Sequence, residues 1–382
     1  MCNSVVKSVA IVENICERRM LEYDKLCRYF QENDIEISKE KKDVECVVFF
    51  SCGMKENDTY REVAETVSKH KNIVVVGCAP SMLTFQKNDY VKLVPLKHMN
   101  VLDQIFGVQT PYDSLKISSY SQYNPTKINL YHRAIETWDP RIFTPFCEDV
   151  YSIKISEGCS RHCSYCSIRK ATGKLKSTPV ENIVVEIKNA LSSGYKHFRI
   201  QCENLSAYGE DIDTNLGVLL NKIGEIEACF DIDLPDLHPD GFIKYFENIK
   251  ELANKKNIYQ LHLPIQSGSN TILKKMNRDY DIDLLIPKLN ELKKLNDNLI
   301  VGTDIIIGFP GETEQDFELT CKLLEGFRFS PLYIHGYCNK KGTVASKMNN
   351  IVSSEIIEKR IHFIQKKHAY AASYLNNYNG GE

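Results

Sequence analysis

Short, fully apolar runs alternate with amphipathic stretches from Ser8 almost to the end of the chain. Val9-Ala10-Ile11-Val12 precedes Met20 to Gln31. Cys46-Val47-Val48-Phe49-Phe50 precedes Tyr60 to His70, and Ile73-Val74-Val75-Val76 precedes a short run from Val91 to Leu96. A strand that is apolar on both faces must be covered on both. Strands separated by a helix's length of chain then join as parallel neighbours through right-handed crossovers. This pattern predicts an α/β protein that opens with a small doubly wound parallel sheet over residues 1-107. Between Gly107 and Cys147 the composition shifts to Tyr, Ser, Asn and Pro, with Tyr112, Tyr120, Tyr123, Tyr131 and the single tryptophan, Trp138. Residues 108-147 read as a linker, in which aromatics filling a seam between domains compete with a base- or peptide-stacking role.

The alternation resumes with longer periods after Val150. Six strands are expected at Tyr151 to Ile155, His197 to Gln201, Cys229 to Leu234, Ile258 to Leu263, Ile300 to Ile307 and Leu332 to Tyr337. Helical patterns such as Glu181 to Leu191 and Ile282 to Leu295 lie between them. Six such repeats over residues 148-350 predict a partial (β/α)6 barrel, whose site belongs at the carboxyl ends of the strands. Residues 351-382 read as one helix, Glu355 to Tyr374, and a polar tail.

The chain of 382 residues is 43% hydrophobic and carries a formal charge of -2, so no global basic field points to nucleic acid. The 14 cysteines, with no charged-then-apolar leader ahead of them, point to a reducing cytoplasm and metal ligation instead of a disulfide framework. No apolar run is long enough to cross a bilayer.

Three of those cysteines stand in one loop, Glu157-Gly158-Cys159-Ser160-Arg161-His162-Cys163-Ser164-Tyr165-Cys166, directly after the first barrel strand. A structural zinc site takes four protein ligands, whereas three thiolates leave one coordination position for something else, which suits an iron-sulfur cluster. A zinc knuckle is the alternative. In the N-terminal domain Cys16, Cys52 and Cys78 each follow a predicted strand, at the carboxyl ends where doubly wound folds gather ligands. Isolated thiols such as Cys27 or Cys46 read as small buried hydrophobes.

The Cys-x3-Cys-x-aromatic-Cys loop resembles the signature of the radical S-adenosylmethionine (SAM) enzymes. That resemblance implies that Cys159, Cys163 and Cys166 hold a 4Fe-4S cluster. SAM would chelate its fourth iron and be cleaved to a 5'-deoxyadenosyl radical. With Phe50-Ser51-Cys52 and Val76-Gly77-Cys78 ahead of the loop, the chain resembles more narrowly the methylthiotransferases, which bind an auxiliary 4Fe-4S cluster through three N-terminal cysteines, here Cys16, Cys52 and Cys78. The runs His262-Leu263-Pro264-Ile265-Gln266-Ser267-Gly268-Ser269, Met276-Asn277-Arg278-Asp279-Tyr280, Thr303 to Thr313 and Gly342-Thr343-Val344-Ala345 extend the likeness over nearly the whole chain. It implies cofactor contacts at Tyr165, Glu203, Gln266, Ser267 and Arg278. Gln266 and Ser267 offer hydrogen bonds, and Arg278 offers a bidentate fork to the methionine carboxylate.

Departures concentrate near the expected substrate. Ile15 and Arg19 flank Cys16 differently from the family, and Phe50-Ser51 replaces Asn-Thr. Arg169, Thr172, Cys202-Glu203-Asn204 and Lys340 replace the usual Pro, Arg, Gly-Gln-Asn and Arg. Cys202 and Cys338 lie near the mouth, as spectators or as traps for a reactive intermediate. The family's small RNA-gripping β-barrel, the TRAM domain, is not expected after residue 382. The resulting expectation is a cytoplasmic, monomeric methylthiotransferase with two 4Fe-4S clusters, acting on a peptide or protein side chain and fed by flavodoxin or ferredoxin. The alternatives are a modified adenosine in tRNA, thioether formation with the same two clusters, or a non-catalytic metal-binding module.

Overall fold

A computed structural model gives the architecture and describes residues 6–14, 17–53, 56–81, 88–117, 150–255, 258–368 and 372–374. The chain divides into two compact units: Met1–Tyr123 with Glu157–Cys159 and Ser167–Lys174, and the remainder.

The first unit contains β1 (Ser8–Asn14), α1 (Met20–Gln31), β2 (Glu36–Ser38), β3 (Cys46–Ser51), α2 (Glu56–Val67), β4 (Ile73–Gly77), β5 (Val91–Pro95) and α3 (Val101–Phe106). Its strands form one parallel sheet in the order β2-β1-β3-β4-β5. Every residue of β3 and β4 is buried, as their unbroken apolar runs require. One face packs Val48, Phe50, Val74 and Val76 with Leu26, Tyr29, Phe30 and Phe106; the other packs Val47, Phe49 and Val75 with Val63. Strand β2 is absent from the sequence expectation because Glu-Ile-Ser carries too little apolar signal for an edge position. The core also runs past Gly107. Tyr112 is buried edge-on against Tyr29, with the Lys25 ammonium 4.3 Å from its ring centre, so the start of the expected linker closes this unit. Tyr120, Tyr123, Tyr131 and Trp138 lie outside the described residues.

Along the chain there follow β6 (Val150–Lys154), β7 (Ser156–Glu157), α4 (Ile168–Thr172), β8 (Lys176–Ser177), α5 (Val180–Ser192), β9 (His197–Gln201), α6 (Leu216–Gly224) and β10 (Asp231–Leu234). Next come α7 (Pro239–Lys244), α8 (Phe246–Asn254), β11 (Ile258–His262), α9 (Asn270–Lys275), α10 (Ile282–Leu295), β12 (Ile300–Ile307), α11 (Glu314–Gly326), β13 (Leu332–Gly336), α12 (Ser354–Lys367) and β14 (Ala372–Tyr374). The second unit is built on a parallel sheet in the order β14-β13-β12-β11-β10-β9-β6. Its six expected strands are present.

The seventh strand corrects the expectation of one helix from Glu355 to Tyr374. The inward apolar positions Ile357, Ile361 and Ile364 end there, α12 stops at Lys367, and Ala372–Tyr374 pairs with β13 as an edge strand. Alternation along the strands sorts the two faces of the sheet. Ile153, Phe198, Ile200, Ile232, Leu261, Ile305, Ile307 and Ile334 join the helices in one apolar core. The opposite face therefore receives Ser152, Lys154, Arg199, Gln201, Asp233, His262, Asp304 and His335. Among the described residues no helix is long and apolar enough to cross a membrane.

Candidate functional site

In the first unit the cysteines of β3 and β4 stand in register. Asn14 pairs with Ser51 and Ser51 with Gly77 across the ladder, so Cys52 and Cys78 occupy the next position on adjacent strands. The Cys52 N–H donates to Asn14 O at 2.6 Å and the Cys78 N–H to Ser51 O at 2.9 Å, which holds both at the carboxyl ends. Gly77 makes the second bond feasible. Its φ is +110°, and a Cβ there would stand 2.5 Å from Ser51 O. Cys16 follows β1 in sequence but lies outside the described residues.

Cys159 also belongs to the first unit. Its N–H donates to Gly173 O at 3.4 Å, and Gly158 before it has φ +74°, with Lys174 O at 2.0 Å from where a Cβ would sit.

In the second unit, residues 162–166 are clamped by the end of α9. Ser164 N–H donates to Met276 O and its hydroxyl to Lys275 O, both at 2.9 Å. Asn277 Nδ2 donates to His162 O at 2.9 Å, and Ala345 N–H donates to Ser164 O at 2.8 Å. Cys166 N–H turns back onto Cys163 O at 3.1 Å. Arg278 Nη1 lies 3.8 Å from Cys163 Sγ and 3.1 Å from Tyr165 Oη, while Nη2 donates to Pro264 O at 2.5 Å. Burial opposes the charge of Arg278, but the facing Tyr165, Tyr280 and Cys163 outweigh it and raise its pKa. A fixed cation thus stands beside the loop, where it offsets the negative charge that a thiolate-held cluster carries. Soft thiol donors and this cation fit a 4Fe-4S cluster chemically. Among the described residues no three His, Cys, Asp or Glu side chains stand close enough together to hold a metal ion.

The strands of the same unit and the segment after β10 carry two histidine–carboxylate systems that the sequence reading missed. On the polar face Asp304 stands 2.8 Å from His335 Nε2 and 3.1 Å from His262 Nε2, and Asp236 stands 3.8 Å from His262 Nδ1. Burial works against charge on both partners. Asp304 and Asp236 nevertheless push His262 up to about 9, and the two imidazoles hold Asp304 below the usual carboxylate range. After β10, His238 Nδ1 lies 2.6 Å from Asp240 Oδ1, and Arg161 Nη2 lies 2.5 Å from Asp240 Oδ2. The available signal was positional: His262 opens the run containing Gln266, Asp304 follows Thr303 in the fifth-strand run, and His238-Pro239-Asp240 occupies another strand end.

The remaining expected contacts separate. Tyr165 has its ring against Ile272, Met276, Phe309 and Ala345, and its hydroxyl on Arg278. Gln266 is buried at φ +79°, and its backbone bridges Asp304 and Ile306. Glu203 lies 4.0 Å from Lys154. Ser267 is fully buried, and its hydroxyl accepts from Ser269 N–H at 3.1 Å and sits 3.5 Å from Thr320 Oγ1, so it holds the loop against α11. Arg278 has both ends of its fork on protein groups, and its Nε has no hydrogen-bond partner among the described residues. Cys202 is buried and Cys338 half-buried.

Residues 153–324 match the Radical SAM superfamily. The chain is 31% identical over 321 residues to a "Probable threonylcarbamoyladenosine tRNA methylthiotransferase" of Pyrococcus abyssi, covering 83% of this chain and 73% of that protein. It is 30% identical over 335 residues to a "tRNA-2-methylthio-N(6)-dimethylallyladenosine synthase" of Thermosipho melanesiensis, covering 84% of this chain and 73% of that protein. Among solved structures, the radical S-adenosylmethionine methyltransferase TsrM from Kitasatospora setae superposes with a TM-score of 0.56 at 11% identity, over 86% of this chain and 72% of that one. This last likeness is one of fold.

Proposed function

The chain belongs to the radical SAM methylthiotransferases, enzymes that use SAM and 4Fe-4S clusters, and from that membership we propose that it converts a C–H of a modified adenosine in tRNA to C–SCH3. Threonylcarbamoyladenosine is the nucleoside that best suits the site. The peptide substrate favoured by the sequence reading gives way, because these relatives are named for tRNA nucleosides.

The observation that carries the choice between nucleosides is the chemistry of the polar sheet face. A dimethylallyl group is a hydrocarbon and calls for an apolar pocket, whereas a threonylcarbamoyl group brings a carboxylate and a hydroxyl. On that face Lys154, Arg199 and Gln201 stand among Asp233, His262, Asp304 and His335, a polar lining that suits such a group better than a hydrocarbon.

Cys159, Cys163 and Cys166 would hold the radical-generating cluster, and Cys16, Cys52 and Cys78 the auxiliary one. Bound, these groups and SAM supply the 5'-deoxyadenosyl radical and the methylated sulfur. The protein's own part is to fix the loop through Ser164 and Asn277, to hold a cation beside Cys163, and to orient the nucleoside through the polar face.

The test is mass spectrometry of tRNA nucleosides from a deletion strain and its complemented counterpart. The methylthio form of threonylcarbamoyladenosine should vanish on deletion, return with the wild-type gene and fail to return with Cys163→Ala. An unchanged nucleoside profile, or a methylthio group lost from a peptide, would refute the proposal.

A further inference from the structure

His238 carries a buried polar atom with nothing to bond. Its side chain is 6% exposed, yet Nε2 is sealed from solvent and has no hydrogen-bond partner among the described residues. The tautomer follows from its neighbours. Asp240 accepts from Gly241 N–H at 2.6 Å and pairs with Arg161, and these contacts together with His238 keep its carboxyl below the usual range despite burial. An ionised carboxylate can only accept, so the proton of the neutral ring sits on Nδ1 and the lone pair on Nε2. Burial first, and the nearby Arg278 second, pull His238 down to about 4, so the ring is neutral at working pH.

An acceptor left unmatched in the interior is costly and is retained where a ligand completes it. The surroundings tie this one to the cysteine loop. Asp240 is gripped by Arg161, which lies between Cys159 and Cys163 in sequence and whose Nη2 also lies 3.4 Å from Ser206 Oγ. The His238 ring stands edge-on to Tyr280 at 5.7 Å, and the Tyr280 ring stands 5.7 Å from the Arg278 guanidinium carbon.

We propose that His238 is a ligand-binding residue whose Nε2 accepts a hydrogen bond from an N–H or O–H of an adenosine, that of SAM or that of the tRNA nucleoside. The SAM arm rests on family membership alone, and the RNA arm rests on the tRNA reading above. The chemistry is shared by the two ligands, and the experiment separates them.

Reconstituted holoenzyme, kept anaerobic and without reductant, is titrated with SAM by equilibrium dialysis. It is titrated separately with an anticodon stem-loop bearing threonylcarbamoyladenosine. His238→Asn keeps an amide against Asp240 at the Nδ1 position and deletes the acceptor; His238→Gln places an amide oxygen near Nε2. His238→Asn should weaken one or both ligands by roughly three- to tenfold, the worth of one neutral hydrogen bond, and His238→Gln should recover most of it. Loss for SAM alone or for the stem-loop alone names the source. Unchanged binding of both ligands by His238→Asn overturns the proposal, whether or not its melting temperature falls, since a fall by itself marks a structural role. If His238→Asn does not fold, a folded His238→Gln that binds both ligands about tenfold more weakly overturns it, and near-wild-type binding upholds it. Wild-type holoenzyme that binds SAM but not the stem-loop refutes the tRNA reading and leaves the SAM arm standing.

Discussion

Gly77→Ala tests whether the fold of the first unit places the strand-end cysteines. The added Cβ would meet Ser51 O at 2.5 Å, and that same oxygen accepts the Cys78 N–H that sets Cys78 beside Cys52. Clash and register bond therefore share one atom, and relieving the first breaks the second. A non-glycine residue at φ +110° costs about 1–3 kcal/mol, and the lost bond about 0.5–1.5 kcal/mol, for a total of roughly 2–4 kcal/mol. In a unit of this size about 4 °C follows each kcal/mol, so the apoprotein transition should fall by roughly 8–16 °C in scanning calorimetry. If Cys52 and Cys78 seat one of two clusters, iron bound after anaerobic reconstitution should drop from about eight per chain toward about four. Gly107→Ala is the control. Its φ is +65°, but no atom lies within 4 Å of the added Cβ, so it bears backbone strain alone and should keep both clusters. The reasoning fails if Gly77→Ala binds about eight irons and melts within a degree or two of wild type. It also fails if Gly107→Ala loses as much iron.

Three further perturbations probe the second unit. Replacing Arg278 by Gln strips donors from Tyr165 Oη and Pro264 O and should lower the stability read from urea midpoints by roughly 2–4 kcal/mol; an unchanged midpoint would remove Arg278 from the loop's support. Stability should also depend on pH through His262 and Asp304. The raised His262 contributes fully below its unfolded value near 6.5 and loses that contribution as pH climbs through about 9. The depressed Asp304 contributes above its unfolded value near 3.8 and fades as pH falls below it. The plateau lies between those limits, and the alkaline decline, at most on the order of 3 kcal/mol, should flatten in His262→Asn, as urea midpoints at pH 6 and 9 would register. Finally, Arg360→Met leaves Glu312 buried without the guanidinium 2.8 Å away, at a cost of about 3–5 kcal/mol near neutral pH. Burial already pushes Glu312 up to about 7, so a protonated carboxyl should soften the defect at pH 5, and an equal loss at both pH values would contradict this.

The fold was legible wherever apolar period and strand length agree. Cys46 to Phe50 and Ile73 to Val76 could only be buried parallel strands, and His197 to Gln201 and Ile300 to Ile307 were located to the residue. Legibility failed at edges, where burial is one-sided. Glu36–Ser38 and Ala372–Tyr374 owe their strand state to a neighbour's backbone, which a local window does not contain. In the site, cysteine spacing is a local signal and was readable. The Ser267 hydroxyl and the Arg278 fork also bond within the surrounding loop, contacts that residue type alone does not show. The His262–Asp304–His335 system offered no local signal because its members meet only across three strands. Net charge says little of the substrate, since a value of -2 averages over a sheet face on which Lys154 and Arg199 stand among Asp233 and Asp304.

Two histidines at the ends of adjacent strands show how one residue type serves two roles. His238 is buried and His262 half-buried, and both face carboxylates, so desolvation alone would make both neutral. The difference lies in how many negative charges remain to be answered. Asp240 is already neutralised by Arg161 at 2.5 Å, and Arg278 adds its own field, so His238 meets little net negative charge and stays an uncharged acceptor. His262 meets Asp304 and Asp236 together, and two carboxylates overcome the burial penalty to make it a charged donor. Environments that drive like groups apart in this way divide the tasks of a site. On this division, the His238 ring suits a ligand's N–H or O–H, while the His262 imidazolium is spent on Asp304 and Asp236.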